Sequence, residues 1–266
     1  MFNDKSLMLL LTVALIAGSI CGGTVAEAQF ISEGLVGRWA FDAITQGKIK
    51  DAVRTNDGAI KGNPKMVEGI IRNAMRFDGS EHIEIFGAKE LELKDFTVDA
   101  WIKADEVANE QKNSRILTKG VSGANYALTW HHTDWKKFSQ SVSAQMTGGF
   151  FISSSTRKDP LEADVWYNLV GTYNGRQMLI YVDTELRNTR TWAGTPIVDP
   201  TDLTIGAMTG GGGPEGFEGV IDEVKIYNRA LTQAEIVKNY EKAKALAVED
   251  SSDKLAITWG ELKRTR

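Results

Sequence analysis

Short runs of alternating apolar and polar residues recur along most of the chain, with turn-forming residues between them. A period of two predicts strands rather than helices. Phe96, Val98, Ala100 and Ile102 fall on one side of such a run, and Thr97, Asp99, Trp101 and Lys103 on the other. Tyr126, Leu128 and Trp130 alternate in the same way, as do Val142, Ala144 and Met146. Between Trp166 and Val182 two β-rich runs flank Asn174-Gly175, which predicts a hairpin closed by a two-residue turn at positive φ. Strands that follow one another without helical runs between them predict an all-β antiparallel sandwich, not a wound α/β sheet.

The period changes once. Thr232 with Glu235 three residues later is a capping box, and Ile236, Tyr240 and Ala243 or Ala247 then repeat at helical spacing. This short helix is expected to end near Val248. Beyond it Glu249 to Asp253 reads as a polar linker, Leu255 to Trp259 alternates like a strand, and Lys263 to Arg266 reads as a solvated tail.

The other end of the chain reads as an export signal. Lys5 precedes an apolar run from Leu7 to Ile20, followed by small residues and the pattern Ala26-Glu27-Ala28, so cleavage after Ala28 makes Gln29 the first mature residue. A bilayer needs about twenty apolar residues, more than this run offers, so a transmembrane span is not expected. Cys21 raises lipid anchoring as a rival, although Ile20 stands where that signal carries a small residue. Cleavage after Ala28 removes the chain's one cysteine, so no disulfide staples the mature protein and a core must hold it. The expected location is secreted, extracellular or periplasmic. A formal net charge of −4 offers nothing to nucleic acid. The organisation is a signal peptide over 1–28, one sandwich domain over 34–240, and helix end, linker and tail over 241–266.

Four stretches in order carry a family resemblance. They are Gly34-Leu35-Val36-Gly37-Arg38-Trp39-Ala40-Phe41-Asp42 and Ala74-Met75-Arg76-Phe77-Asp78-Gly79 before the run His82 to Phe86. The hairpin Trp166-Tyr167-Asn168-Leu169-Val170-Gly171-Thr172-Tyr173-Asn174-Gly175 to Leu179-Ile180-Tyr181-Val182-Asp183 comes third, and Phe217 to Leu231 last. Together they resemble the laminin-G-like jelly rolls of the concanavalin A-like lectin/glucanase superfamily. Thr184 departs from that pattern, which has a turn glycine there, so a longer or different turn is expected. The resemblance implies a β-sandwich jelly roll, and a scaffold that carries lectins, glycosidases and adhesion modules alike.

Catalysis by such a fold would need two carboxylates on one strand. Glu162-Ala163-Asp164-Val165-Trp166-Tyr167 comes nearest to the glycosidase pattern of the superfamily, but Tyr167 stands where the second carboxylate belongs. Glu81, Glu84, Glu90 and Glu92 read as surface charges. The chain is therefore expected not to be an enzyme.

The cluster Trp130-His131-His132-Thr133-Asp134-Trp135 is the candidate ligand site, because an indole face can stack on a pyranose while His and Asp bond its hydroxyls. On a strand His131 and His132 point apart, which disfavours a shared metal. The alternative reading makes Trp130 core and the remainder loop. Gly210 to Gly213 lacks the Lys-Ser or Lys-Thr of a phosphate loop and reads as a flexible connection. Asp222 interrupts an otherwise apolar run and needs a partner. The resemblance implies a structural Ca²⁺ held by Asp222 with Asp42. The alternatives are a contact of Asp222 with Arg229, Arg38 or backbone amides. The expected function is an exported, non-catalytic binding module for glycan. The first alternative is a structural or adhesive module that binds a cell-surface protein, and the next a glycoside hydrolase.

Overall fold

A computed structural model describes the protein at residues 29–105, 113–120, 125–132, 140–146, 150–153, 161–192, 196–198, 200–208 and 215–264. The expected signal peptide 1–28, with Cys21, and the run Gly210 to Gly213 lie outside the described residues. Seventeen strands, one α-helix and a single 3-10 turn at Lys89–Leu91 are formed within the described residues. In chain order the strands are β1 (Leu35–Trp39), β2 (Ile44–Thr45), β3 (Lys48–Ile49), β4 (Gly58–Lys61), β5 (Lys65–Glu68) and β6 (Asn73–Asp78). Next come β7 (His82–Ile85), β8 (Phe96–Ala104), β9 (Asn113–Lys119), β10 (Tyr126–His132), β11 (Gln140–Met146) and β12 (Phe150–Ser153). The last are β13 (Trp166–Tyr173), β14 (Gln177–Val182), β15 (Glu185–Thr191), β16 (Leu203–Ile205) and β17 (Glu218–Tyr227), followed by α1 (Gln233–Arg264).

These strands form two antiparallel sheets, as the alternating pattern requires. One has eight strands in the order β15-β14-β13-β8-β17-β6-β5, with β1 also on β17. The other has nine, in the order β12-β11-β10-β9-β16-β7-β4-β3-β2. Phe96, Val98, Ala100 and Ile102 all face the core between the sheets, where they meet Tyr126, Leu128 and Trp130. Register aligns this core in cross-strand rows. Ile60, Ile83, Ile205, Leu117 and Leu128 follow one another across five strands of the nine-stranded sheet.

β17 departs from simple alternation. Val220, Val224 and Ile226 would share a face in a regular strand, but the core receives Ile221, Val224 and Ile226. The cause is a bulge: Asp222 pairs with Trp101 and Lys225 with Asp99, so Glu223 and Val224 together oppose Ala100. Glu223 takes φ 48° to make it. Val220 is buried on the other face.

The two hairpin turns also differ from expectation. Asn174 N–H donates to the Gln177 carbonyl (3.3 Å), so the first turn centres on Gly175 and Arg176, with Gly175 at φ 79°. The Asn174 side chain completes it by accepting the Arg176 and Gln177 N–H groups. The second turn, between β14 and β15, is not lengthened by Thr184. Val182 pairs directly with Glu185, and Asp183 and Thr184 adopt φ 47° and 73°. Thr184 thus sits in the left-handed region that a β-branched side chain resists.

The capping box forms as expected. Thr232 N–H donates to Glu235 Oε2 (2.8 Å) and Glu235 N–H to Thr232 Oγ1 (3.3 Å). Ile236 packs with Val170, Tyr181 and Tyr227, and Ala243 with Ile71 and Trp101, on the outward face of the eight-stranded sheet. Tyr240 stacks on Trp101 with ring centroids 5.2 Å apart. The expected stop near Val248, the linker and the strand at Leu255 to Trp259 are not formed, because α1 runs on to Arg264. No Gly or Pro interrupts it between Gln233 and Trp259. The Ser251 and Ser252 hydroxyls return to the Ala247 and Val248 carbonyls (2.8 and 2.9 Å), so the polar run is satisfied as helix.

Thr184→Gly should raise stability by about 0.5 to 1 kcal/mol, since it removes the left-handed strain of a β-branched residue. Urea unfolding followed by tryptophan fluorescence checks this, and an unchanged or lower midpoint counts against it. At Glu235 the Arg229 guanidinium (3.0 and 2.6 Å) and then the Thr232 N–H hold the carboxyl down at about 2, against the effect of burial. A depressed carboxyl stabilises above its unfolded value and loses that contribution as pH falls through the folded one. Glu235→Gln should therefore cost about 1 kcal/mol at pH 7. The gap between the two proteins should close as pH falls from the unfolded value, about 4.3, toward about 2.

Candidate functional site

The outward face of the nine-stranded sheet carries polar residues in the rows next to the apolar ones. Glu84, Thr204, Thr118, Ala127, Gln145 and Phe151 form one row by register, and Arg115, Thr129, Ser143 and Ser153 another. A bulge on β9 sets this up. Leu128 pairs with Leu117 but Thr129 with Arg115, so Ile116 is the extra residue and joins Leu117 in the core. Arg115 is thereby turned outward beside Thr129.

The Arg115 guanidinium donates from Nε to Glu215 Oε2 (2.7 Å) and from its terminal nitrogen to Thr129 Oγ1 (3.1 Å). Glu215 is brought there by the backbone, since Arg115 N–H donates to the Glu215 carbonyl (2.9 Å). Thr118, Thr129 and Thr204 are buried, and the Thr118 hydroxyl has no hydrogen-bond partner among the described residues. A buried hydroxyl without a partner costs about 1 to 3 kcal/mol. Farther along the face Lys61 pairs with Glu84 (3.1 Å), and burial lowers the basicity of His82 beside them.

The sequence-based ligand cluster is divided by this geometry. Trp130 is 1% exposed, lies in the core and has its ring 6.5 Å from that of Tyr167, so it is no platform for a sugar. Residue 131 pairs with residues 113 and 141, two positions along β10 from Thr129, and so continues the polar face. Residue 132 takes the opposite register position. Asp134 and Trp135 lie outside the described residues. Arg115 and Thr118 are not legible from a period of two because the β9 bulge places Ile116 and Leu117 on one side, and Thr129, Thr204 and Glu215 are brought beside them only by the pairing of distant segments.

The acids do not assemble for catalysis in the way a paired strand would. Glu162 and Asp164 are exposed in the turn before β13, Asp164 with φ 58°, and Glu162 N–H donates to the Tyr167 hydroxyl (3.0 Å). Glu81 is not a surface charge. It is buried and its Oε2 accepts the Asp78 N–H (2.8 Å), closing the turn between β6 and β7.

Asp222 and Asp42 reach the same turn, Gly69 to Arg72, from different sides. Asp222 Oδ2 accepts the Ile70 and Ile71 N–H groups (3.0 and 3.2 Å), and Oδ1 accepts the Glu223 N–H (2.8 Å). Asp42 Oδ1 accepts the Asn73 N–H (3.4 Å), and its other oxygen lies 3.6 Å from Arg72. Burial, and then the neighbouring Glu223 charge, push the Asp222 carboxyl well above the usual range. Arg38 bonds Glu223 through two nitrogens (3.0 and 2.6 Å), and Lys225 lies 3.3 Å from it. Backbone N–H groups thus take both Asp222 oxygens, Asn73 N–H and Arg72 face those of Asp42, and the two cations take the Glu223 oxygens. Among the described residues no three acids or histidines cluster as a metal would require. The set does not fit calcium, and backbone amides answer the need of Asp222 for partners.

Two antiparallel sheets packed face to face, with β17 central in one of them, define a jelly-roll-like sandwich. A family profile described as the concanavalin A-like lectin/glucanases superfamily matches residues 77–237, and the chain belongs to that family. No curated protein matches the chain. Among solved structures it is similar to domain 4 of AbnA, a GH43 extracellular arabinanase from Geobacillus stearothermophilus solved with arabinotriose. Identity is 16% and the TM-score 0.58, over 80% of this chain and 98% of that one. It is also similar to the binding domain of Paraclostridial Mosquitocidal Protein 1, at 14% identity and a TM-score of 0.60, over 78% of this chain and 52% of that one. Trypanosoma rangeli sialidase, solved with sialic acid, matches at 21% identity and a TM-score of 0.58, over 78% of this chain and 32% of that one. At these identities the likeness is one of fold, and the chain spans about half and about a third of the last two. No helix among the described residues is long and apolar enough to cross a membrane.

If backbone amides and cations hold the Asp222 region, millimolar Ca²⁺ and excess EDTA should give melting temperatures within about a degree of each other. A larger rise in Ca²⁺ would show that an ion binds the folded state.

Proposed function

We propose that the protein is an exported, non-catalytic binding module whose ligand is a glycan seated against the outward face of the nine-stranded sheet. The observation that carries this reading is the juxtaposition of Arg115, Thr118 and Thr129 on that face, the Thr118 hydroxyl having no partner among the described residues. A guanidinium and hydroxyls on neighbouring strands suit a polyhydroxylated ligand, because each can donate to or accept from sugar hydroxyls. Family membership supports a binding scaffold, and the neighbour solved with arabinotriose is a carbohydrate-bound instance of the fold. The absence of catalysis is supported by Glu162 and Asp164 standing exposed in a turn.

A glycan array probed with the mature chain tests the reading. Arg115→Gln and His131→Ala should each weaken the glycan signal about tenfold, the worth of one charge-assisted hydrogen bond. Trp135→Ala distinguishes the adjoining loop, and should matter only if the ligand extends from the sheet face onto it. Silence on every glycan would favour the adhesive, protein-binding alternative. Hydrolysis of a polysaccharide panel that is lost in Glu162→Gln would overturn the non-catalytic assignment.

A further inference from the structure

The N-terminal residues are fastened to the outward face of the eight-stranded sheet. The Phe30 ring lies between two cations, 4.7 Å from the Arg38 guanidinium carbon and 4.4 Å from Lys225 Nζ. Ile31 N–H donates to Asn239 Oδ1 (2.9 Å), and Asn239 in turn donates to the Tyr227 hydroxyl (2.8 Å), which ties the strap to α1. Gln29, directly before this anchor, is exposed, and its carboxamide has no hydrogen bond among the described residues.

We infer that Gln29 is a modification site which closes to pyroglutamate once the leader is cut after Ala28, and that the seating of the strap favours the closure. The inference rests on that cleavage. The neutral α-amine attacks the side-chain amide carbon, the new C–N bond closes a five-membered lactam, and the amide nitrogen leaves with the amine proton as ammonia. No oxidant or further reactant is needed. Only the unprotonated amine attacks, so an environment that disfavours the ammonium speeds the step. The charges that the strap touches through Phe30 are Arg38 and Lys225. Glu223 is engaged by both of those cations, and Glu33, farther along the strap, lies 4.0 Å from Arg229. Closure removes a positive charge one residue from that pair and leaves a chain end without the free amine on which aminopeptidases act.

Mass spectrometry of the exported, purified chain tests this. The expected N-terminal peptide begins at residue 29, is lighter by one ammonia and resists sequential N-terminal degradation. The Gln29→Ala chain, which has no carboxamide to close, should keep its full mass. An intact glutamine at residue 29 after days at neutral pH would overturn the modification and leave the cleavage standing. A chain that begins elsewhere would overturn both. A folded chain freshly cut to expose Gln29 should close several-fold faster than a synthetic peptide of residues 29–34. Equal or slower closure would overturn the role given to the strap.

Discussion

The bulge at Asp222 and Glu223 is the constraint on which the eight-stranded sheet depends. β17 has β8 along one edge, but its other edge is shared, with β6 on Glu218 to Ile221 and β1 on Val224 to Tyr227. Between those partners the backbone would meet no strand, and buried backbone groups need hydrogen bonds. The two acids stand at that changeover. Asp222 reaches toward β6 and collects N–H groups from the turn that precedes it, while Glu223 reaches toward β1 and takes Arg38. Gly69 permits the first contact, since a Cβ there would lie 2.5 Å from Asp222 Oδ2.

That arrangement also explains why so much charge lies beneath the helix. Once the bulge turns Lys225 and Tyr227 outward, the outward face holds Asp99, Asn168 and Lys225 as well as apolar groups. A cover made only of apolar residues would leave them unpaired at a cost of several kcal/mol. The strap and α1 bring matching groups. Asn239 meets Tyr227 and, at 3.5 Å, Asp99, and Asn168 donates to Asp99 (2.7 Å). Burial still raises the Asp99 carboxyl, even with Lys225 near it. The apolar contacts of Ile236, Tyr240 and Ala243 supply attraction, and the polar ones fix where the helix lies.

Legibility in the sequence follows from the same physics. Strand faces that alternate without interruption could be read directly, and Phe96 to Ile102 and Tyr126 to Trp130 face the core as their pattern requires. The capping box was equally legible, because Thr232 and Glu235 act locally. Bulges were not, since one extra residue reverses every later side chain and leaves no composition signal. The β17 bulge moved Val220 out of the core, and the β9 bulge hid Arg115 and Thr118 from the search for a site. The run from Glu249 to Asp253 has the polarity of a linker, but its freedom from Gly and Pro lets α1 continue through it. In the candidate site, Trp130 was found as an aromatic residue beside histidines, but only the register shows that it faces the core.

The two sheets therefore divide the work. The outward face of the eight-stranded sheet is covered by the strap and α1, its polar groups paired with one another and with Asn239 of α1. The nine-stranded sheet also turns polar residues outward, and they include a buried Thr118 hydroxyl with no hydrogen-bond partner among the described residues. A satisfied buried network resists a new ligand, because each contact it would make must first break one of comparable strength. An unsatisfied group in a buried row has already borne its desolvation cost before any ligand arrives. On the nine-stranded sheet Thr118 and Thr129 are buried, Arg115 is held by Glu215 and Thr129, and the β9 bulge that turns Arg115 outward also sends both Ile116 and Leu117 into the core.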